Sequence, residues 1–250
     1  MPVEMNTRLD HEIDHGKTLA RRDPELTWGW GTPAGQVRAR RRAALIGEGA
    51  GLRPGLRVLE IGCGTGLFTD MLARTGCHIT AVDISAELIA KARARGLPED
   101  RVRFLEKSFE DCDSEGPFDA VVGSSVLHHL DIEPALARIY NLLKPGGRIS
   151  FAEPNMLNPQ IWMERKFSHW RTVFWYVSPD ETAFTRRGIQ RLAEQAGLRD
   201  VKVTPFDWLH PFTPRVMMPI VSGLGACLEK LPLAREFAGS LWIRGLRPNS

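Results

Sequence analysis

The sequence predicts an α/β protein: a seven-stranded, mostly parallel sheet with helices on both faces. Three observations carry that expectation. From residue 57 onward short apolar runs alternate with amphipathic helical stretches, the pattern of strand–helix–strand units with right-handed crossovers. Residues 118–123 are apolar almost throughout, as expected of a strand buried on both faces. And the first strand runs into Glu60-Ile61-Gly62-Cys63-Gly64-Thr65-Gly66, where an acid is followed by three spaced glycines. In an open sheet of this class, the ligand binds at such a strand–turn–helix junction.

The elements follow in order. Residues 1–27 are polar without sustained periodicity and read as an arm; with the next helix they make an N-terminal arm and lid over 1–50. Trp28-Gly29-Trp30-Gly31-Thr32-Pro33-Ala34-Gly35 sets two tryptophans between glycines. Their large flat faces either cover a ligand or plug the sheet edge. A helix over about 34–49 places Val37, Ala44 and Leu45 as its apolar positions among arginines. The strand at 57–61 leads through the glycines into a helix with Leu67, Phe68, Met71 and Leu72 on one stripe, ended by Gly76. A second strand covers 78–82. Ser85 N-caps a helix reaching about Arg95. Strands at 102–106 and 118–123, a helix at 132–143, the turn Lys144-Pro145-Gly146-Gly147 and a strand at 148–152 complete a core over 57–153.

Beyond Asn155 the pattern changes. Residues 156–184 form an aromatic-rich insertion with Trp162, Phe167, Trp170, Phe174, Trp175 and Tyr176, helical near 159–175. Thr185 caps a helix over 186–196, and 198–207 reads as the sixth strand. Residues 211–238, broken by Pro211, Pro214, Pro219 and Pro232, form a second insertion before the last strand at 241–246. The main domain is thus 51–250, with insertions of about 156–184 and 211–238 after strands five and six. Most apolar residues of these insertions read as core; together they roof the carboxyl side of the sheet.

Composition excludes several classes. The 250 residues are 43% hydrophobic, and 33 basic against 30 acidic residues leave a formal charge of +3. That near-balance gives no reason to expect nucleic acid. Arg40-Arg41-Arg42 and Arg186-Arg187 read as solvated helix faces. Cys63, Cys77, Cys112 and Cys227 show no metal spacing, and no metal is expected. Cys63 and Cys77 lie in segments that read as buried and are packing thiols by default; a catalytic thiol at Cys63 is the alternative, but the neighbouring glycines explain the stretch better. No run approaches the ~18 apolar residues of a membrane span, and no leader-like stretch opens the chain. A cytoplasmic enzyme is the expectation.

The glycine junction narrows the ligand. A dinucleotide site needs G-x-G-x-x-G, but Leu67 stands where the third glycine belongs. No phosphate-binding G-x-x-x-x-G-K-[ST] occurs. Glu60 puts a negative charge beneath the turn, which favours a cationic group over a pyrophosphate. Asp83, at the tip of the second strand, can accept hydrogen bonds from a ribose diol. A ribonucleoside with a positive, phosphate-free tail fits, and S-adenosylmethionine has those features.

Residues 57–153 resemble the core of the class I, Rossmann-like S-adenosylmethionine-dependent methyltransferases of the small-molecule type. VLEIGCGTG resembles their first motif and AVDIS their second; FDAVVGSSVLHHL and LLKPGGRISFAEP resemble later ones. The resemblance implies that Gly62, Cys63, Gly64 and Gly66 pass near the methionine part of the cofactor, with Glu60 below. It implies that Asp83 holds the ribose and Ile84 lies against adenine. Ser108 occupies the slot where many relatives carry an acid, with Phe109 beside it. Ser124 would approach the reactive end of the cofactor, and Trp30 would cover it. The product would be S-adenosylhomocysteine.

Methyl transfer to a hydroxyl needs a base. His128 and His129 follow the fourth strand, and their ordinary pKa near ~6.5 suits proton transfer at neutral pH; His129 is the first candidate. Glu153, at the tip of the fifth strand, is another. His169 and His210 lie in the insertions and have weaker claims. The apolar insertions point to a small-molecule acceptor that is apolar, aromatic, or lipid- or sugar-linked. Methylation at oxygen is the first expectation, with nitrogen and carbon open, and the oligomeric state is open too. The rivals are a nicotinamide-dependent oxidoreductase and a cofactor-binding module without turnover.

Overall fold

The computed structural model describes residues 22–166 and 183–249. Its seven strands are β1 (Arg57–Ile61), β2 (His78–Asp83), β3 (Val102–Glu106), β4 (Phe118–Ser124), β5 (Leu143–Pro154), β6 (Arg199–Phe206) and β7 (Ser240–Leu246). They form one sheet in the order β3-β2-β1-β4-β5-β7-β6. The first five run parallel, and β7 is antiparallel to both β5 and β6. The expected seven-stranded, mostly parallel sheet is therefore present. The strand order reverses between β1 and β4, so a crevice opens beyond their carboxyl ends.

Eight helices accompany the sheet among the described residues: α1 (Pro24–Thr27), α2 (Pro33–Ala50), α3 (Leu67–Ala73), α4 (Ala86–Arg93), α5 (Ile132–Leu142), α6 (Pro159–Lys166), α7 (Arg186–Gln195) and α8 (Met218–Leu228). The period of two along β1 sorts its side chains between two cores. Leu59 and Ile61 join Leu136 and Ile139 of α5 and Ile189 of α7 on one face. Val58 joins Ala39, Ala43 and Ile46 of α2 and Phe68 and Leu72 of α3 on the other. Glu60, in phase with Val58, enters that second core.

Three expectations change. Of the apolar positions expected on helix α2, Leu45 packs half-buried against the second core, but Val37 and Ala44 do not face it. The buried face of α2 is Ala34, Gly35, Ala39, Arg42, Ala43, Ile46 and Ala50, while Val37 and Ala44 are exposed. Small residues let the helix lie close on the sheet: a Cβ on Gly49 would sit 2.5 Å from Ser150 Oγ. The expected lid helix is therefore a layer of the core. Second, β5 begins at Leu143, and the Lys144–Gly147 turn lies inside it, as a register shift between the Phe118 and Ala120 pairings with β5. Third, the insertion residues are not mostly core. Helix α6 buries none of its residues and α8 buries only Gly225. Helix continues to Lys166; the rest of the expected 159–175 helix, with Phe167, His169, Trp170, Phe174, Trp175 and Tyr176, lies outside the described residues. No helix of the described residues is long and apolar enough to cross a membrane.

Candidate active site

The site grows from the turn after β1. Gly62, Gly64 and Gly66 take φ of 65, 53 and 75°, the left-handed region that side chains disfavour. Space is equally restrictive. A Cβ on Gly62 would lie 2.5 Å from Val126 Cγ2, and one on Gly66 would lie 3.0 Å from the Ala92 Cβ. Gly62 thus admits the loop after β4, and Gly66 admits α4.

Asp83 holds this turn in place. Its Oδ2 accepts the Gly64 amide at 2.8 Å and its Oδ1 accepts the Ser85 amide at 3.0 Å. Burial raises its pKa above the ordinary carboxylate value, against the pull of those two amides. The carboxylate has acceptor capacity left beyond these two bonds. From the outer side, Glu25 of α1 accepts the Thr65 hydroxyl at 2.9 Å and pairs with Arg95. Residues 24–27 therefore clamp the turn.

The two tryptophans divide the roles left open for them. The Trp28 ring sits over Gly64, 3.4 Å from where its Cβ would be. Trp30 is 9% exposed and packs edge-on against Phe68 with centroids 5.4 Å apart. Both border a cavity of about 760 Å³. It is also lined by Gly62, Cys63, Gly64, Asp83, Ile84, Ser108, Phe109, Ser124, His128 and His129. The fold thus brings most of the expected site residues to one cavity. Three do not reach it: Glu60, Gly66 and Glu153 lie behind the lining.

Each has a physical reason. Gly66 faces α4. Glu60 is 2% exposed, and its Oε2 has no hydrogen-bond partner among the described residues. Desolvation lifts its pKa to about 7; the nearby Thr69 hydroxyl opposes that and Asp83 adds to it. Glu153 is fully buried. Its Oε1 accepts the amides of Val126 and Leu127, both at 3.0 Å, and its Oε2 accepts His128 Nδ1 at 2.7 Å. Burial alone would raise its pKa, but His128 and the two amides outweigh it and the net shift is downward. Expected as a base in the cavity, Glu153 is placed instead to orient His128. With Nδ1–H given to Glu153, the remaining lone pair of His128 is on Nε2. The His129 ring lies beside it, centroids 4.2 Å apart.

The sequence reading missed Arg42. Its guanidinium donates to Ser124 Oγ at 3.1 Å, Ser125 Oγ at 2.7 Å, the Ala152 carbonyl at 3.2 Å and Ser240 Oγ at 2.6 Å. It is 3% exposed, so the solvated reading of Arg40-Arg41-Arg42 fails at this residue. Arg41 pairs with Glu229 and Arg38 with Asp207. The signal was present: Ala39, Arg42, Ala43 and Ile46 fall at i, i+3, i+4 and i+7. Arg42 ties three strand ends together and holds Ser125 in a left-handed conformation with φ 56°. Glu110, outside the expected site set, also lines the cavity and accepts the Ser108 hydroxyl. An acid is thus present two residues after the slot that Ser108 fills. Among the described residues no group of three or more His, Cys, Asp or Glu side chains is placed to hold a metal ion.

A family model described as a methyltransferase domain matches residues 59–149. This stretch, from β1 into β5, is thus similar to a methyltransferase domain. Curated relatives share it. The ubiquinone biosynthesis O-methyltransferase of Xylella fastidiosa is 42% identical over 99 residues, which is 38% of this chain and 40% of that protein. The chain therefore matches well under half of that relative's length. Solved structures extend the likeness in fold beyond the methyltransferase domain. The N-methyltransferase NodS of Bradyrhizobium japonicum, in complex with S-adenosyl-L-homocysteine, superposes with a TM-score of 0.64 at 17% identity, covering 94% of this chain and 98% of that one. The [4+2]-cyclase SpnF does so with a TM-score of 0.64 at 22% identity, over 94 and 95% of the two chains. At these identities the likeness is one of fold. The same fold carries different reactions, so the methyltransferase domain's chemistry must be argued from its site.

Proposed function

We propose that the protein is an S-adenosylmethionine-dependent methyltransferase that acts on a hydroxyl of a small acceptor with substantial apolar character. The observation that carries this reading is the glycine turn with Asp83 bonded to the Gly64 amide, lining the same cavity as His128. The residues fit the cofactor. Gly62 and Gly64 allow close backbone approach, Asp83 keeps lone pairs for ribose hydroxyls, and Ile84 and Phe109 offer apolar faces to adenine. The buried Glu60 carboxyl behind the turn favours a cationic tail. When bound, S-adenosylmethionine supplies an electrophilic methyl group and leaves as S-adenosylhomocysteine.

The chain's own residues then have two tasks. The first is alignment: Trp28 and the turn exclude water and fix the approach, which can supply up to ~7–11 kcal/mol in ideal cases. The second is proton removal. Nε2 of His128 takes the proton of the acceptor hydroxyl, and Glu153 balances the imidazolium through Nδ1–H. His129 positions the acceptor beside it. The pairing with Glu153 is the reason to prefer His128 over His129, and the need for a base is the reason to prefer oxygen. The name of the Xylella relative, an O-methyltransferase, agrees with that preference. We further propose a cytoplasmic location, supported by four free cysteines, three of them buried.

Titration calorimetry tests the reading. Binding of S-adenosylhomocysteine with no response to NAD is the expected result. NAD binding with silence toward S-adenosylhomocysteine and S-adenosylmethionine would sink it.

A further inference from the structure

The second insertion turns its apolar side outward. Val216, Ile220, Leu224 and Leu233 are 81, 62, 60 and 84% exposed. Helix α8 contains no charged residue, and Gly225 is its one buried position. A patch of this kind on a folded chain marks an interaction site. Its surroundings say what the partner is. Arg215 and Lys230 bracket the helix and have no ion pair among the described residues. The two acids of the segment are already neutralised: Glu229 accepts Arg41 at 2.8 Å and Glu236 accepts Arg186 at 2.6 Å. The result is an apolar helix with a net positive rim. That is the arrangement of a helix lying in the membrane interface, with apolar side chains at the acyl boundary and cations among anionic headgroups. Two copies meeting through this face would set like charges against each other. The patch is also continuous with the cavity: a Cβ on Gly225 would lie 2.9 Å from Trp208 Cβ, and Trp208, Leu209 and Phe212 line the cavity wall.

We propose that the face formed by residues 212–237 docks on an anionic lipid surface, and that the acceptor enters the cavity from that surface. The docking stands on the patch alone; the route of the acceptor rests on the methyl-transfer reading. Flotation of the full chain tests it, with vesicles of phosphatidylcholine alone and with about 30 mol% phosphatidylglycerol. The chain is expected to float with the anionic vesicles. Ile220→Glu combined with Leu224→Glu should lower the bound fraction at least about tenfold, since both apolar side chains would otherwise leave water. Arg215→Glu combined with Lys230→Glu should lower binding to the anionic vesicles. All four positions are exposed, and unchanged affinity for S-adenosylhomocysteine would confirm that each variant is folded. A wild-type chain that floats with neither vesicle overturns the proposal. So does a dimer, seen by sedimentation, that Ile220→Glu with Leu224→Glu dissolves while vesicle binding is unaltered. Vesicle binding by a chain that binds no S-adenosyl ligand would keep the docking surface and remove the acceptor route.

Discussion

Replacing Glu60 with Gln removes a charge from a place where burial makes it costly. The carboxyl rises from 4.5 to about 7, chiefly by desolvation, and the side chain is 2% exposed. At ~1.4 kcal/mol per pKa unit, keeping it ionised above pH 7 costs the folded chain about 3 kcal/mol. The sign follows from proton counts. Between pH 4.5 and about 7 the folded state holds a proton that the unfolded state has lost. Stability from this group is therefore complete below pH 4.5, declines as pH rises through that window, and levels off above about 7. Gln has nearly the same shape and no charge to desolvate. Urea unfolding of the ligand-free chain should show wild type losing about 3 kcal/mol more than Glu60→Gln between pH 4.5 and about 8. Parallel curves would refute the argument. Binding supplies an independent readout. A cationic tail at the turn favours ionised Glu60, so wild-type affinity for S-adenosylmethionine should rise between about pH 6 and 8. The Gln variant should lack that rise; if it keeps it, Glu60 does not act on the ligand's charge.

Other perturbations follow from the same geometry. Asp83→Ala removes the acceptor at 2.8 Å from the Gly64 amide and should weaken S-adenosylhomocysteine at least about tenfold by calorimetry; unchanged affinity would defeat the ribose assignment. Glu153→Gln keeps an acceptor for the Val126 and Leu127 amides but loses the charge facing His128, and should destabilise the chain by about 1–3 kcal/mol at neutral pH. Because the Glu153 pKa is lowered from 4.5, its contribution is complete above that pH and is lost as pH falls through the folded value. The gap between wild type and variant in urea unfolding should accordingly narrow in acid. Arg42→Ala strips donors from Ser124, Ser125, Ala152 and Ser240 and leaves a cavity, for a loss of about 2–4 kcal/mol in thermal or urea unfolding. An unaltered midpoint would mean that the loop after β4 is held by other contacts.

The sequence by itself determined the sheet and the glycine turn. Both rest on local signals: runs with a strand's period, N-caps at Ser85 and Thr185, and glycines whose left-handed φ no other residue adopts cheaply. It also separated this turn from a dinucleotide site, because that distinction is one of spacing, read at Leu67. What it did not determine are the contacts made across the fold. Arg42 shares its residue type with Arg40 and Arg41; its phase with Ala39, Ala43 and Ile46 sets it apart, but its partners on β4, β5 and β7 exist only once α2 packs on the sheet. Glu153 and His128 are 25 residues apart, and their pairing exists because β4 and β5 are neighbours whose ends meet at the same height. The outward face of α8 is the reverse case. Its composition resembles a core helix, and tertiary structure alone decides burial, since it requires a second surface that the described residues do not supply.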